Sequence, residues 1–256
     1  MSENQKSSLT FDLSVLNLDR LWEDSAAIAL KALPAAMPDR PGLLPAFLSF
    51  MDAHRAKWFT TPASTRQSHH HAYRGGLFVH CCEVYNLMIA LSQPLAAQPL
   101  LPPSYPTISI SPASALLVAF LHDVHKLGDA AGHDYYEDNV SIKTGKVSDK
   151  IPFRTTEDYL KVSVVYHDQG PPNLPAEQAQ FLINQGILAD TPGGLQSLAY
   201  IHATAPALSA QLTEDEQFAI RHHDGAYGCS KYDLAGKETP LMIIAHAADS
   251  RGQSWE

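Results

Sequence analysis

Histidine and aspartate interrupt three strongly apolar stretches of this chain, and this pattern constrains its fold more than any other feature. The stretches are residues 75–80, 116–123 and 241–249. Apolar helices tolerate such side chains only where they find strong partners, because burying an unpaired polar or charged group costs several kcal/mol. A divalent cation is such a partner. The pattern therefore predicts a metal site that three helices enclose, with the candidate ligands His80, His122, Asp123 and Asp249.

Composition describes an ordinary globular protein. The 256 residues are 45% hydrophobic and 18% charged, which suits one good-sized domain or two small ones with a substantial core. The formal net charge is −9, so an extended grip on duplex nucleic acid is not expected, although a local basic pocket stays open.

The cysteines and the hydropathy exclude several classes of protein. None of the three cysteines forms a Cys-x-x-Cys pair, which leaves a zinc finger or a disulfide framework without support. The polar N-terminus leads into no signal-peptide stretch, and no run approaches the roughly 18 apolar residues of a membrane span. We therefore expect a cytoplasmic protein without a membrane partner; its oligomeric state is not readable.

Helical periodicity dominates the sequence and predicts an all-α fold. Apolar residues recur at three- and four-residue spacing over 11–33 and 43–58, and a continuous stripe runs from Leu77 to Leu91. His80 lies to one side of that stripe, at the edge of the face that we expect to be buried. The proline-rich residues 93–110 predict a surface loop.

Capping signals mark further helices. Ser111-Pro112 begins a helix that is apolar almost all round until His122-Asp123, with Gly128 as its predicted stop. A similar start precedes Asp249 at Thr239-Pro240, and Thr213-x-x-Glu216 is a capping box. Residues 129–154 predict a long loop with a short hairpin.

His-Asp dipeptides alone are weak evidence, because the chain has four. Those at 133–134 and 167–168 lie in polar loop sequence, where a solvated interpretation is better, whereas His122-Asp123 ends a buried helix. Taken singly, His80 could be a satisfied core-edge histidine and Asp249 could pair with Arg251. A shared metal explains the four residues together better than four coincidences.

These motifs resemble the HD-domain phosphohydrolase superfamily over residues 62–254. The order H…HD…D agrees with that family, as do Gly75-Gly76-Leu77 before His80, Leu121-His122-Asp123-x-x-Lys126, and Ala247-Ala248-Asp249. Pro62-Ala63-Ser64 and residues 69–76 are similar to HD domains of bacterial 3′–5′ exoribonucleases and of some conjugative relaxases. Residues 146–153 and 219–225 resemble phage-type HD hydrolases instead.

The resemblance implies a helical HD-type bundle at 62–256 that follows an N-terminal helical extension at 1–61. It implies metal ligands at His80, His122, Asp123 and Asp249, with Lys126 placed to stabilise phosphate charge. His223 matches a family position. Members with two metals carry further histidines that are missing here around residues 155–158, so one ion is expected rather than two.

The ligand set indicates the chemistry. Two imidazoles and two carboxylates suit Mn, Fe, Co, Ni or Zn better than Mg alone. A divalent ion activates a water and polarises a phosphoryl oxygen, and Asp123 could both ligate the ion and orient the water. His70, His71 and His223 are candidates to contact or protonate the leaving oxygen, with a solvated polar face as the alternative.

Basic residues in the loop before residue 155 stand out in an acidic protein. They are either a solvated face or contacts to an anionic substrate: Lys143, Lys146, Lys150 and Arg154. The sequence thus predicts a metal-dependent phosphohydrolase or phosphodiesterase acting on a nucleotide or short oligonucleotide. The alternatives are a non-hydrolytic HD-fold module in a nucleic-acid-handling or conjugation assembly, and a di-iron HD-type oxygenase.

Overall fold

The fold is predominantly helical, in agreement with the predicted all-α class. The computed structural model describes residues 16–36, 40–67, 69, 71–92, 110–130, 132–156, 193–225, 234 and 236–252. The helices are α1 (Leu18–Ala36), α2 (Leu43–Ala53), α3 (Arg55–Trp58), α4 (Gly76–Ser92), α5 (Pro112–Leu121), α6 (Gly193–Thr204), α7 (Pro206–Ser209), α8 (Glu214–Arg221) and α9 (Pro240–Gly252). His70 and the 167–168 dipeptide lie outside the described residues.

The predicted helix starts at α5, α8 and α9 are confirmed by their capping bonds. The Ser111 hydroxyl accepts from the Ala113 amide at 3.2 Å, and the Thr239 hydroxyl accepts from the Met242 amide at 3.2 Å. Thr213 and Glu216 form the reciprocal bonds of a capping box. Each bond satisfies an amide that the first helical turn would otherwise leave without a partner.

Two predicted helix boundaries were wrong. The segment 43–58 is not one helix, because it breaks at His54, whose Nδ1–H donates to the Phe50 carbonyl at 2.8 Å. The helix from Pro112 ends at Leu121 rather than continuing to Gly128. A turn and a short 3₁₀ helix (Val124–Leu127) follow, and Gly128, with φ 124°, ends that 3₁₀ helix instead.

Helix α5 lies at the centre of the core. It contacts α1, α4, α6, α8 and α9, which explains why its residues are apolar almost all round. The Phe120 ring centroid lies 6.0 Å from those of Phe47 and Phe78 and 6.4 Å from that of Trp58. Side chains on both sides of residue 61 therefore share one cluster, and the division at 61/62 stays a prediction.

A buried ion pair joins α8 to the segment before α2. The fully buried Glu216 carboxylate accepts from both terminal nitrogens of Arg40, at 2.7 and 2.9 Å, and from the Ser114 hydroxyl at 2.9 Å. Bidentate pairing with these added bonds is the arrangement in which a buried charge is tolerated.

Two glycines allow close approaches at the start of α4, Gly75 by Leu18 and Gly76 by His71. Gly75 has φ 78°, and a Cβ there would lie 2.6 Å from a Leu18 methyl group. A Cβ on Gly76 would lie 2.0 Å from the His71 carbonyl oxygen. The Gly75-Gly76 pair thus permits a close approach that any side chain would block.

The predicted hairpin is present as an antiparallel pair, β1 (Tyr136–Asp138) and β2 (Phe153–Thr155). Its base is joined to the segment before α4, since the Gln67 amide donates to the Lys150 carbonyl at 3.0 Å. Among the described residues, no helix combines the length and apolarity that crossing a membrane would require.

Candidate metal centre

Three helices deliver four buried nitrogen- and oxygen-bearing side chains to one point of the core. His80 lies on α4 and Asp249 on α9, while His122 is the C-cap of α5 and Asp123 follows it. Their exposed fractions are 0% for His80, 1% for His122, 5% for Asp123 and 3% for Asp249. His80 is therefore deeper than the core edge where the sequence pattern placed it.

Neighbouring donor atoms lie at, or about 0.3 Å beyond, the separations that ligands of one ion adopt. The Nε2 atoms of His80 and His122 are 3.2 Å apart, and His80 Nε2 lies 3.1 Å from Asp249 Oδ1. Asp123 Oδ2 lies 3.5 Å from His122 Nε2 and 3.8 Å from His80 Nε2. Atoms that bind one ion at about 2.1 Å lie roughly 3.0–3.5 Å from one another. The geometry therefore fits a shared divalent cation.

Backbone carbonyls fix the orientation of two histidine rings. His122 Nδ1–H donates to the Ala119 carbonyl at 2.9 Å, and His223 Nδ1–H donates to the Ile220 carbonyl at 2.8 Å. Each bond leaves the Nε2 lone pair directed away from the helix. Metal-binding histidines use the same arrangement, in which a carbonyl partner at one nitrogen sets the tautomer at the other.

The carboxylates of the centre are held in their charged forms. Burial raises the pKa of Asp123, but the Lys126 ammonium, 2.6 Å from Oδ2, and the neighbouring histidines outweigh burial and hold that pKa well below its usual range. Burial also raises the pKa of Asp249, and the hydrogen bond with His80 and the nearby histidines reverse that effect. Burial lowers the pKa of His122 to about 4. Charged carboxylates and a neutral imidazole are the protonation states that a metal requires.

A second group of potential ligands adjoins the first. His223, Asp224 and Asp249 each offer a ligand atom within 4.8 Å of the others, as do His80, His122 and Asp123. Asp123 Oδ1 lies 3.8 Å from His223 Nε2, whereas Oδ2 faces the other two histidines, so the Asp123 carboxylate spans both groups. These residues could hold one ion, or two that share carboxylates.

The donor set indicates which ions would bind. Imidazole nitrogens with carboxylate oxygens suit the divalent first-row transition metals. Burial raises the pKa of the neighbouring Cys81 thiol well above its ordinary value, with Asp123 adding to the effect, so Cys81 is a neutral core residue when no metal is bound.

Lys126 serves the centre through Asp123. Its ammonium also donates to the Ala63 carbonyl at 3.0 Å, which holds the ammonium beside the turn that carries His122 and Asp123. Burial lowers the pKa of Lys126, but the Asp123 carboxylate outweighs burial and leaves the pKa above its ordinary value.

Of the residues predicted to contact substrate, His71 lies beside the centre, whereas the basic residues lie on the hairpin. The His71 ring centroid lies 5.8 Å from that of His80, and its Nε2 lies 3.2 Å from a Glu83 oxygen. Lys146 and Lys150 are exposed on the hairpin, and Arg154 pairs with Glu137 at 2.8 Å across it. His70 lies outside the described residues.

Four residues near the centre were missed by the sequence reasoning: Asp224, His125, Ser197 and Tyr135. Asp224 had a signal, because His223-Asp224 repeats the His-Asp pattern after a capped helix. Ser197 had none, since its hydroxyl reaches the His122 carbonyl from 75 residues further along the chain. His125 bonds Ser197, and its ring lies 5.4 Å from that of Tyr135.

Comparison with protein families, with curated proteins and with solved structures finds no match to this chain.

We predict that His122→Ala and Asp123→Ala each abolish metal binding, and with it any hydrolysis. Each change removes a buried donor, and Asp123→Ala also leaves the Lys126 ammonium without its carboxylate. Elemental analysis of purified protein gives the metal content per chain. The control is His133→Ala, because His133 is exposed and pairs with Asp129 outside the centre. Normal metal content in both ligand variants would disprove the assignment.

Proposed function

We propose that this protein is a metal-dependent phosphohydrolase or phosphodiesterase with an HD-type helical domain, acting on a nucleotide or short oligonucleotide. The observation that carries the proposal is the convergence of four buried side chains, His80, His122, Asp123 and Asp249, whose imidazole nitrogens lie 3.1–3.8 Å from the carboxylate oxygens. The order H…HD…D on three helices of an all-α fold supports the HD-type assignment.

The residues of the centre divide into ligands and groups that stabilise charge. When bound, a divalent ion would activate water and polarise a phosphoryl oxygen. Asp123 has one oxygen facing His80 and His122 and the other facing His223, so it can ligate and also orient the attacking water. Lys126 holds the Asp123 carboxylate in place and adds positive charge close to where a phosphate would lie.

His223 has the position of a proton donor at this centre. Its ring centroid lies 4.8 Å from that of His122. Burial lowers the pKa of His223, but the carboxylates of Asp224, Asp123 and Asp249 outweigh burial and leave it raised. A histidine that carries a proton on Nε2 can protonate a leaving oxygen.

The exposed lysines of the hairpin favour an anionic substrate. One segment, residues 61–67, contacts both the centre and the hairpin: its Ala63 carbonyl accepts from Lys126, and its Gln67 amide donates to the Lys150 carbonyl. Lys146 and Lys150 are exposed on that hairpin. A phosphate chain leaving the centre along this segment would therefore meet basic side chains.

A second candidate is a di-iron oxygenase of the same HD type. The group of His223, Asp224 and Asp249 favours it, because a second ion needs ligands beyond the first four. The two candidates differ in metal content and in reaction. A non-hydrolytic HD-fold module, the remaining alternative, would bind metal without turnover.

A screen of metal ions and substrates tests the proposed function. Nucleotides, cyclic nucleotides, short oligonucleotides and generic aryl phosphates are each assayed for phosphate-ester cleavage with Mn, Mg, Co and Ni. We expect cleavage with at least one transition metal and loss of cleavage in Asp123→Ala. Metal binding without cleavage of any ester would contradict a hydrolase, and two irons per chain with consumption of oxygen would favour the oxygenase.

Adjacent histidines give a prediction about the proton donor. His223→Ala should retain one metal ion while turnover falls roughly 10²–10⁴-fold, the usual contribution of a general acid. His222→Ala should be milder, because the His222 ring centroid lies 4.6 Å from that of Phe218, whereas the His223 ring centroid lies 4.8 Å from that of His122. Metal content and kcat are measured for both. Loss of metal in His223→Ala would make this residue a ligand and favour two ions.

The hairpin lysines give a prediction about substrate binding. Lys146→Gln and Lys150→Gln should raise KM more than they lower kcat, and each should reduce the slope of log KM against log salt by roughly 1. Lys31→Gln is the control, because Lys31 is an exposed lysine on α1. Unchanged KM in both hairpin variants at low and moderate salt would mean that the hairpin lysines are solvated and do not contact the substrate.

A further inference from the structure

One buried hydroxyl on α6 holds the turn that carries two of the candidate ligands. Ser197 has no exposed surface, and its Oγ–H donates to the His122 carbonyl at 2.6 Å. The same oxygen accepts from His125 Nδ1–H at 2.9 Å and from the His125 amide at 3.4 Å. A hydroxyl offers one hydrogen and two lone pairs, so these contacts use its full bonding capacity.

The bonded carbonyl lies where the chain leaves α5. The last carbonyls of a helix have no partner within that helix and need one elsewhere. His122 is the C-cap of α5, and Asp123 follows with φ −117° and ψ 13°, outside regular helix. The direction of both side chains therefore depends on how this turn is held. Ser197 bonds the turn at its first residue, through the His122 carbonyl, and at its fourth, through His125.

The bonds also set the protonation of His125. The Ser197 hydrogen is committed to the His122 carbonyl, so His125 Nδ1 must carry its own hydrogen and donate it. The His125 ring contacts Tyr135 edge-on at 5.4 Å and, like Ser197, is buried.

We propose that Ser197 and His125 are positioning residues for the metal centre, acting through the 122–125 turn rather than as ligands. The inference rests on the proposed metal site and adds to it a bond between α6 and the ligand turn. Without the bond, the His122 carbonyl would be buried without its partner, and the turn would relax and move His122 Nε2 and Asp123 Oδ2 apart. Outer partners of this kind typically contribute 10–100-fold to metal affinity.

The test is titration of the metal-free full chain with Co²⁺, followed through the visible absorption of the bound ion. Ser197→Ala should weaken Co²⁺ binding at least tenfold and change the absorption spectrum, because the ligand geometry changes. Ser114→Ala is the matched control, since it removes a hydroxyl that bonds Glu216 and not the turn. A role only in folding would lower the melting temperature of the metal-free protein and leave the spectrum unchanged.

Two substitutions of His125 separate the positioning role from direct ligation. Asparagine places an amide donor near the position of Nδ1, so His125→Asn should keep the bond to Ser197 and bind Co²⁺ like the wild type. Glutamine places its polar group near Nε2, so His125→Gln should bind as weakly as Ser197→Ala. If Ser197→Ala fails to fold, the two His125 variants still test the positioning role.

Three results would overturn the proposal. They are wild-type affinity and spectrum in Ser197→Ala, equal losses in both His125 variants, and retention by His125→Gln with loss by His125→Asn. The last result would mean that His125 acts through Nε2 and not through the bond from Nδ1 to Ser197. If the wild-type chain itself binds no Co²⁺, both the proposed metal site and this inference are wrong. If the wild-type chain binds Co²⁺ and the variants give one of the three results above, only this inference is wrong.

Discussion

The two buried carboxylates Asp123 and Asp249 are the constraint on which the rest of the structure depends. Removing an ionised carboxylate from water costs several kcal/mol even after the protein relaxes. Lys126, 2.6 Å from Asp123, offsets one of the two charges, and the histidines at the centre supply the remaining contacts. Two charges and three imidazoles in one apolar core are stabilised best by a cation. The ends of α4, α5 and α9 therefore meet at a point where folding and metal binding are expected to be coupled.

The buried Glu216 shows by contrast what a purely structural charge looks like. Its oxygens accept from Arg40, Ser114 and the Thr213 amide, so the protein itself supplies a matching cation and the hydrogen-bond donors. At the His/Asp centre, imidazole nitrogens face one another as well as carboxylate oxygens: His80 Nε2 lies 3.2 Å from His122 Nε2 and 3.1 Å from Asp249 Oδ1. Lone pairs brought that close repel unless a proton or a metal lies between them. This difference is the one expected between a cluster that could hold a metal ion and a buried ion pair in the same core.

The ligands could be predicted from the sequence because each interrupts an apolar helix, and that interruption is a local signal. The same holds for the caps at Ser111, Thr213 and Thr239, where residue type and position suffice. Helix ends were less predictable: the end of α5 at Leu121 depends on a turn held from α6. Ser197 gave no signal because an isolated serine in a helix has many uses, and only tertiary packing sets it beside His122. Asp224 could have been found, since its dipeptide repeats the His122-Asp123 pattern.

For the proposed cleavage of phosphate esters, the charge distribution favours a small or single-stranded substrate. The chain carries a net charge of −9, so its long-range field repels phosphate, and screening limits attractive contacts to about 8–10 Å at physiological salt. A bound cation, Lys126 and the hairpin lysines would attract a phosphate at the proposed site, and they form a local patch rather than an extended face. Duplex nucleic acid carries charge along its whole length and would meet the acidic surface beyond that patch. A nucleotide, or the end of a short strand, presents one or a few phosphates, which such a patch can accommodate.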